Sequence, residues 1–122
     1  MDTRILLAAL SLLTATTAWA EAPVHTANGV LTGSNGMTLY TFDKDAAGSG
    51  KSVCNGPCAE NWPPLAAADD ARPEGDYSIV TRDDGARQWA FKGKPLYFWI
   101  KDQKPGDQTG QGVKGVWQVA RP

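Results

Sequence analysis

From Val24 onward the chain alternates apolar and polar positions in short runs, each bounded by glycine, proline, asparagine or aspartate. A period of two over a few residues, punctuated by turn formers, predicts strands. Helical spacing of apolar positions is hard to find after residue 21. The expected class is all-β, mainly antiparallel. Val24 to Thr26 predicts a first strand, Asn28-Gly29 a turn and Val30-Leu31-Thr32 a second strand. Ser34-Asn35-Gly36 then turns the chain into Met37 to Phe42, because Asn-Gly between extended segments favours positive φ at both central residues. In the second half, Tyr77 to Arg82, Arg87 to Phe91 and Pro95 to Ile100 predict a three-stranded meander through Asp83-Asp84-Gly85 and Lys92-Gly93. Trp117 to Ala120 predicts a closing strand, whereas Pro63-Pro64 lacks ladder donors and predicts an edge or covering segment.

The halves are copies. Gly-Met-Thr-Leu-Tyr-Thr-Phe-Asp-Lys-Asp over residues 36–45 aligns with Gly-Lys-Pro-Leu-Tyr-Phe-Trp-Ile-Lys-Asp over 93–102. Both carry Tyr-x-aromatic-x-x-Asp, as Tyr40, Phe42 and Asp45 in one and Tyr97, Trp99 and Asp102 in the other. A polar, Gly-rich loop and a tryptophan follow each, ending in Trp62-Pro63-Pro64-Leu65 and in Trp117-Gln118-Val119-Ala120. Such duplication predicts a repeated hairpin or meander unit, neither copy burying its apolar face well without the other. The boundaries are about 28–66 for repeat one, 67–76 for a linker that admits a short helical turn, and 77–122 for repeat two. Residues 21–122 are too few for two independent cores, so both repeats belong to one domain.

Alternation places Tyr40 and Phe42 on one strand face, with Leu39 and Thr41 on the other. Tyr97 and Trp99 share a face in the same way, opposite Leu96, Phe98 and Ile100, so this strand is expected to be covered on both sides. The aromatics then either form a core between repeats, each hydroxyl bonded to a loop, or present a ligand or redox surface. Asp45 and Asp102 fall just past their strands, where a carboxylate closes a turn on backbone N–H groups. The other reading is a cation loop over Asp43-Lys44-Asp45, which lacks a ligand at Ala47 and the terminal Glu of a calcium loop.

Before the repeats, Arg4, the apolar run Ile5 to Leu13 and Ala18-Trp19-Ala20 have the form of a secretory leader cleaved at Ala20/Glu21. The run is far shorter than the roughly 20 residues that cross a bilayer. The mature chain is expected to be periplasmic or secreted, with no transmembrane segment. Twelve Lys and Arg against 13 Asp and Glu, without a basic patch, argue against nucleic acid as a partner.

Export changes how Cys54-Asn-Gly-Pro-Cys58 reads. Two cysteines in an oxidising compartment most simply form one disulfide, worth about 2 kcal/mol for so short a loop and chiefly shaping it. A second reading takes Cys54 and Cys58 with His25, the single histidine, as copper ligands, since thiolates favour Cu(I). Covalent haem lacks its histidine, because Ala59 follows Cys58.

The duplicated motifs, the Trp-Pro-Pro-Leu segment and the closing Gly-Val-Trp-x-Val resemble the family of predicted lipoproteins with the Yx(FWY)xxD motif, also called the secreted repeat of unknown function. The likeness covers nearly all of residues 28–122. It implies an exported protein and no established reaction. Many members are lipid-anchored, and this chain departs from them in lacking an acceptor cysteine near the leader. Nucleophile, phosphate-loop and zinc-hydrolase signatures are absent as well. The sequence thus predicts a non-enzymatic module without a cofactor, binding an envelope partner or small ligand. The alternative is a periplasmic redox or copper-handling protein using Cys54 and Cys58.

Overall fold

The computed structural model describes residues 21–122, so the expected leader and its cleavage site lie outside the described residues. The strands are β1 (Val24–Ala27), β2 (Val30–Gly33), β3 (Tyr40–Phe42), β4 (Tyr77–Thr81), β5 (Arg87–Phe91), β6 (Lys94–Pro95) and β7 (Trp117–Val119). All the ladders between them are antiparallel, and the described residues are all-β apart from a short helix α1 (Pro57–Asn61) and a 3-10 turn at Val113–Gly115.

Turn chemistry sets the hairpins. Asn28 and Gly29 both take positive φ (52° and 77°), as do Lys92 and Gly93 (49° and 83°), giving the two-residue turns that match strand twist. Ser34-Asn35-Gly36 differs from expectation, because only Gly36 is left-handed (φ 80°). Gly33 donates to Gly36's neighbour Met37 across three loop residues, while the Asn35 side chain accepts from Met37 N–H, so a three-residue loop replaces the two-residue turn. The expected strand from Met37 is also shorter. Thr38 bridges Thr32 and Leu39 N–H still donates to the Leu31 carbonyl, but beyond Leu39 the chain leaves β2 and continues as β3 beside β7. The meander β4-β5-β6 forms in the second half. Its last strand is brief too: beyond the Tyr97 bridges the chain turns outward, with Asp102 N–H donating to the Trp99 carbonyl, and Ile100 is 53% exposed where cover had been expected. Residues 66–76 hold a turn at Asp69-Asp70 and no helix; the helix lies instead at Pro57–Asn61, where the sequence showed only a loop.

The closing segments are exchanged between repeats. β7, from repeat two, pairs with β3 of repeat one in the register Tyr40↔Val119 and Phe42↔Trp117. Reciprocally, Pro64 of repeat one bridges Tyr97 of repeat two, and Phe98 N–H donates to the Pro63 carbonyl. Ala120 joins Leu31 and Leu39 through backbone bonds (Leu31 N to Ala120 O, 2.9 Å; Ala120 N to Leu39 O, 2.8 Å). Leu65 joins Trp89 and Leu96 in the same pattern (Trp89 N to Leu65 O and Leu65 N to Leu96 O, both 2.9 Å). At the centre, Tyr40 N–H donates to the Tyr97 carbonyl (2.8 Å) and Tyr97 N–H to the Tyr40 carbonyl (3.0 Å). Reciprocal bonds of this kind are what a local two-fold axis between the two motif tyrosines produces.

Strand alternation then divides the interior. Tyr40, Phe42, Tyr97, Trp62, Trp117 and Val119 pack on one side; Leu31, Leu39, Leu65, Trp89 and Leu96 pack on the other. Each cluster draws side chains from both repeats, so neither repeat holds a complete core.

Fragments 21–76 and 77–122, produced separately, are therefore expected to lack a cooperative β-sheet signal by circular dichroism and to recover it on mixing. Cooperative unfolding of either fragment alone would contradict the exchange.

Candidate functional site

The motif residues meet across the two-fold. Tyr40 and Tyr97 are fully buried, and each hydroxyl donates to the aspartate of the other repeat: Tyr40 to Asp102 Oδ2 at 2.6 Å, Tyr97 to Asp45 Oδ2 at 2.5 Å. Each aspartate turns its second oxygen to its own loop. Asp45 Oδ1 accepts from Val53 N–H (2.7 Å), while Asp102 Oδ1 accepts from Thr109 N–H (3.0 Å) and Thr109 Oγ1 (2.6 Å). Asp45 is 2% exposed and Asp102 8%. Buried carboxylates are costly unless their oxygens find donors, and here each of the four oxygens has at least one. Both Asp45 oxygens are thereby occupied, and Asp43 accepts from Gln118 Nε2, so the structure does not assemble the cation loop weighed from the sequence.

Burial raises the Tyr40 hydroxyl pKa well above the usual phenol value. The hydrogen bond to Asp102 adds to the rise, and Gly110 N–H, donating to the hydroxyl at 3.1 Å, opposes it. Burial likewise raises Tyr97, followed by its bond to Asp45, with the Ser52 hydroxyl working in the other direction.

Above these pairs lies an aromatic stack that also obeys the two-fold. Trp99 stacks on Trp62 (centroids 3.9 Å apart, planes 23° apart), Trp62 on Trp117 (3.8 Å, 4°), and Trp117 on Phe42 (4.3 Å, 13°). Tyr40 meets Trp62 edge-on at 5.3 Å and Tyr97 meets Trp117 edge-on at 5.1 Å. The alternating strand faces predicted Tyr40 beside Phe42 and Tyr97 beside Trp99. They gave no sign that Trp62 and Trp117 would insert face to face between the two sets, because those tryptophans arrive on exchanged segments.

The loops break the symmetry. Cys54 and Cys58 are joined by a disulfide around the start of α1. His25 sits on exposed β1 opposite Thr32, and among the described residues no three His, Cys, Asp or Glu side chains form a metal-binding group, so it is not gathered with the cysteines. Nothing in the sequence marks Arg82 as a site residue, since it falls at the end of an ordinary expected strand and, in the structure, directly after β4. It is only 5% exposed, and its guanidinium donates to Ser52 Oγ (2.9 Å), Gln88 Oε1 (2.6 Å) and the Cys54 carbonyl. Repeat two thus holds the disulfide loop of repeat one. Within the loops' reach are two open clefts. One, of about 610 Å³, lies between Arg82, Asp83 and the Pro64–Ala66 segment. The other, of about 940 Å³, has Trp99, Ile100 and Val113 along its floor and Lys101, Gln103 and Lys114 on its rim, and no acidic residue lines it.

The duplicated motif, the exchanged segments and the buried Tyr–Asp pairs are features of the whole chain, and comparison agrees on its extent. The chain belongs to the family described as a secreted repeat of unknown function, which matches it twice, at residues 23–66 and 78–121. No curated protein and no solved structure matches. No helix among the described residues is long and apolar enough to cross a membrane.

Two outcomes follow from the Tyr–Asp pairs. Tyr97→Phe leaves Asp45 Oδ2 buried without its donor and is expected to lower unfolding stability by about 2 kcal/mol in denaturant titrations. Because the folded state holds the Tyr40 and Tyr97 protons more tightly than the unfolded chain, their contribution is complete below about pH 10 and declines as pH rises beyond it. A pH series of unfolding curves is expected to be flat with respect to these groups until that point, with their phenolate absorbance appearing only on unfolding.

Proposed function

We propose that this is an exported, non-catalytic binding module whose groove at Trp99 takes up acidic groups of an envelope component. The observation that carries this reading is the groove's chemistry: an apolar floor that includes Ile100, rimmed by Lys101 and Lys114 with no carboxylate to neutralise them. The whole chain has a net charge of −1, so this cationic rim is local. Apolar surface with a few convergent polar groups is the usual make-up of a binding site, and exposed cations steer an anionic partner toward it.

Lys114 adds support. Its φ is 54°, left-handed backbone that costs a non-glycine residue roughly 1–2 kcal/mol, so a lysine stands where glycine fits better. An amine held at a strained position is consistent with selection for the amine and not for local stability.

The leader supports release into the periplasm after cleavage between Ala20 and Glu21, which the intact mass of the exported protein checks directly. For the groove, the test is co-sedimentation of the mature protein with isolated cell-envelope fractions at low and high salt. Binding that weakens with salt is expected for the wild type. Lys101→Glu with Lys114→Glu should reduce it by about tenfold, equivalent to ~1.4 kcal/mol. Lys114→Gly should weaken binding while leaving thermal stability equal or higher. Binding that ignores both changes removes the groove from the proposal.

A further inference from the structure

We infer that the stacked tryptophans and the two Tyr–Asp pairs form a one-electron relay, which takes an oxidising equivalent at Trp99 and passes it to a buried tyrosine. The inference rests on the contacts of the interior and does not require the groove to bind an envelope component.

Three tryptophans lie in continuous face contact, Trp99 to Trp62 to Trp117, with centroid separations of 3.9 and 3.8 Å. Indole is readily oxidised by one electron, and overlap at such distances lets the vacancy move between rings. The two ends of the stack differ. Trp99 is half-buried and floors an open groove, whereas its two-fold counterpart is Phe42, which is 8% exposed and far harder to oxidise than an indole. Of the stack's two end rings only Trp99 is an indole, so the oxidising equivalent enters at that end, while the inner Trp62 and Trp117 border a smaller cleft of about 360 Å³.

Its inner members touch the tyrosines. Tyr97 meets Trp117 edge-on and Tyr40 meets Trp62 edge-on. A phenol gives up an electron easily only if its proton leaves at the same time, and a positioned base makes that possible. Both tyrosines have one: Asp45 Oδ2 accepts from Tyr97 and Asp102 Oδ2 from Tyr40. These are buried carboxylates already oriented by their loops, so the proton travels only along an existing hydrogen bond.

A high-potential one-electron oxidant in the groove removes one electron from Trp99 and is itself reduced by one. Electrons move outward along the stack, leaving the vacancy at Trp117 or Trp62. Tyr97 or Tyr40 then supplies one electron to that ring and its hydroxyl proton to the paired aspartate. The products are a neutral tyrosyl radical, a neutral carboxylic acid and a restored tryptophan. Return of one electron through the stack from a one-electron reductant in the groove, which is itself oxidised by one, with the proton moving back from the aspartate to the tyrosyl oxygen, regenerates the starting state.

Flash oxidation of the mature protein by photogenerated tris(bipyridyl)ruthenium(III), followed by transient absorption and electron paramagnetic resonance, tests the relay. The expected result is a tryptophan radical that converts to a neutral tyrosyl radical, more slowly in deuterium oxide. Asp45→Asn with Asp102→Asn keeps a side-chain oxygen but removes the base, and should slow the conversion on the order of 100-fold. Tyr40→Phe with Tyr97→Phe should abolish it and leave the vacancy on tryptophan. An unchanged tyrosyl signal in the latter variant would mean that Tyr77 is its source and would overturn the inference. So would a wild-type vacancy that never leaves tryptophan, a measurement that needs no variant to fold.

Discussion

Two hydrogen bonds, from Tyr40 to Asp102 and from Tyr97 to Asp45, constrain the rest of the molecule. An aspartate buried to this depth must have its oxygens satisfied, and neither repeat can do so alone. Each carboxylate spends one oxygen on its own loop and the other on the opposite tyrosine. The spacing Tyr-x-aromatic-x-x-Asp suits this double duty. Two residues on, the aromatic shares the tyrosine's face; three further on, the chain has left the strand, and the carboxylate stands at the mouth of the loop. Strand exchange and side-chain exchange then reinforce one another, since the segments that close each hairpin come from the same partner as the hydroxyl that satisfies its aspartate.

Symmetry of the interior has left the loops free to diverge. In repeat one the loop after the motif holds the Cys54–Cys58 disulfide and helix α1, and Arg82 of repeat two grips it through Ser52 and the Cys54 carbonyl. In repeat two the equivalent loop is tied by Thr109 and Gly110 and ends at left-handed Lys114. Binding residues concentrate on loops carried by a rigid scaffold, and the groove at Trp99 follows that rule. The same asymmetry reaches the aromatic stack, where tryptophan at one end answers phenylalanine at the other.

A disulfide loop anchored by buried Ser52 and Cys54, a hydrogen-bond network with every buried side-chain polar atom partnered and tightly stacked rings together describe a stiff interior. Among the described residues no buried side-chain nitrogen or oxygen lacks a partner. Gly110 shows how little room remains: a methyl group there would lie 2.8 Å from both the Trp62 and Tyr40 rings. Chemistry that depends on fixed separations is well served by such packing, because it holds donor, ring and base in one geometry.

Most strands, the turns at Asn28-Gly29 and Lys92-Gly93, the repeat and its family are legible in the chain alone, because each is written in short-range patterns: period two, turn residues and a ten-residue motif seen twice; the strands from Met37 and Pro95 come out shorter because their partners change along the way. Cysteine spacing and an exported setting likewise pointed to the disulfide that joins Cys54 and Cys58. Which copy satisfies which is settled by packing between the repeats. Nothing local distinguishes Tyr40 bonding Asp45 from Tyr40 bonding Asp102, or Trp117 closing its own hairpin from Trp117 closing the other. The choice depends on contacts between residues 62 and 75 positions apart, such as Tyr40 with Asp102 and Phe42 with Trp117, and on burying the apolar faces of both repeats together. Arg82 and the Trp62–Trp117 stack were hidden for the same reason, since each gains its meaning from a partner in the other repeat.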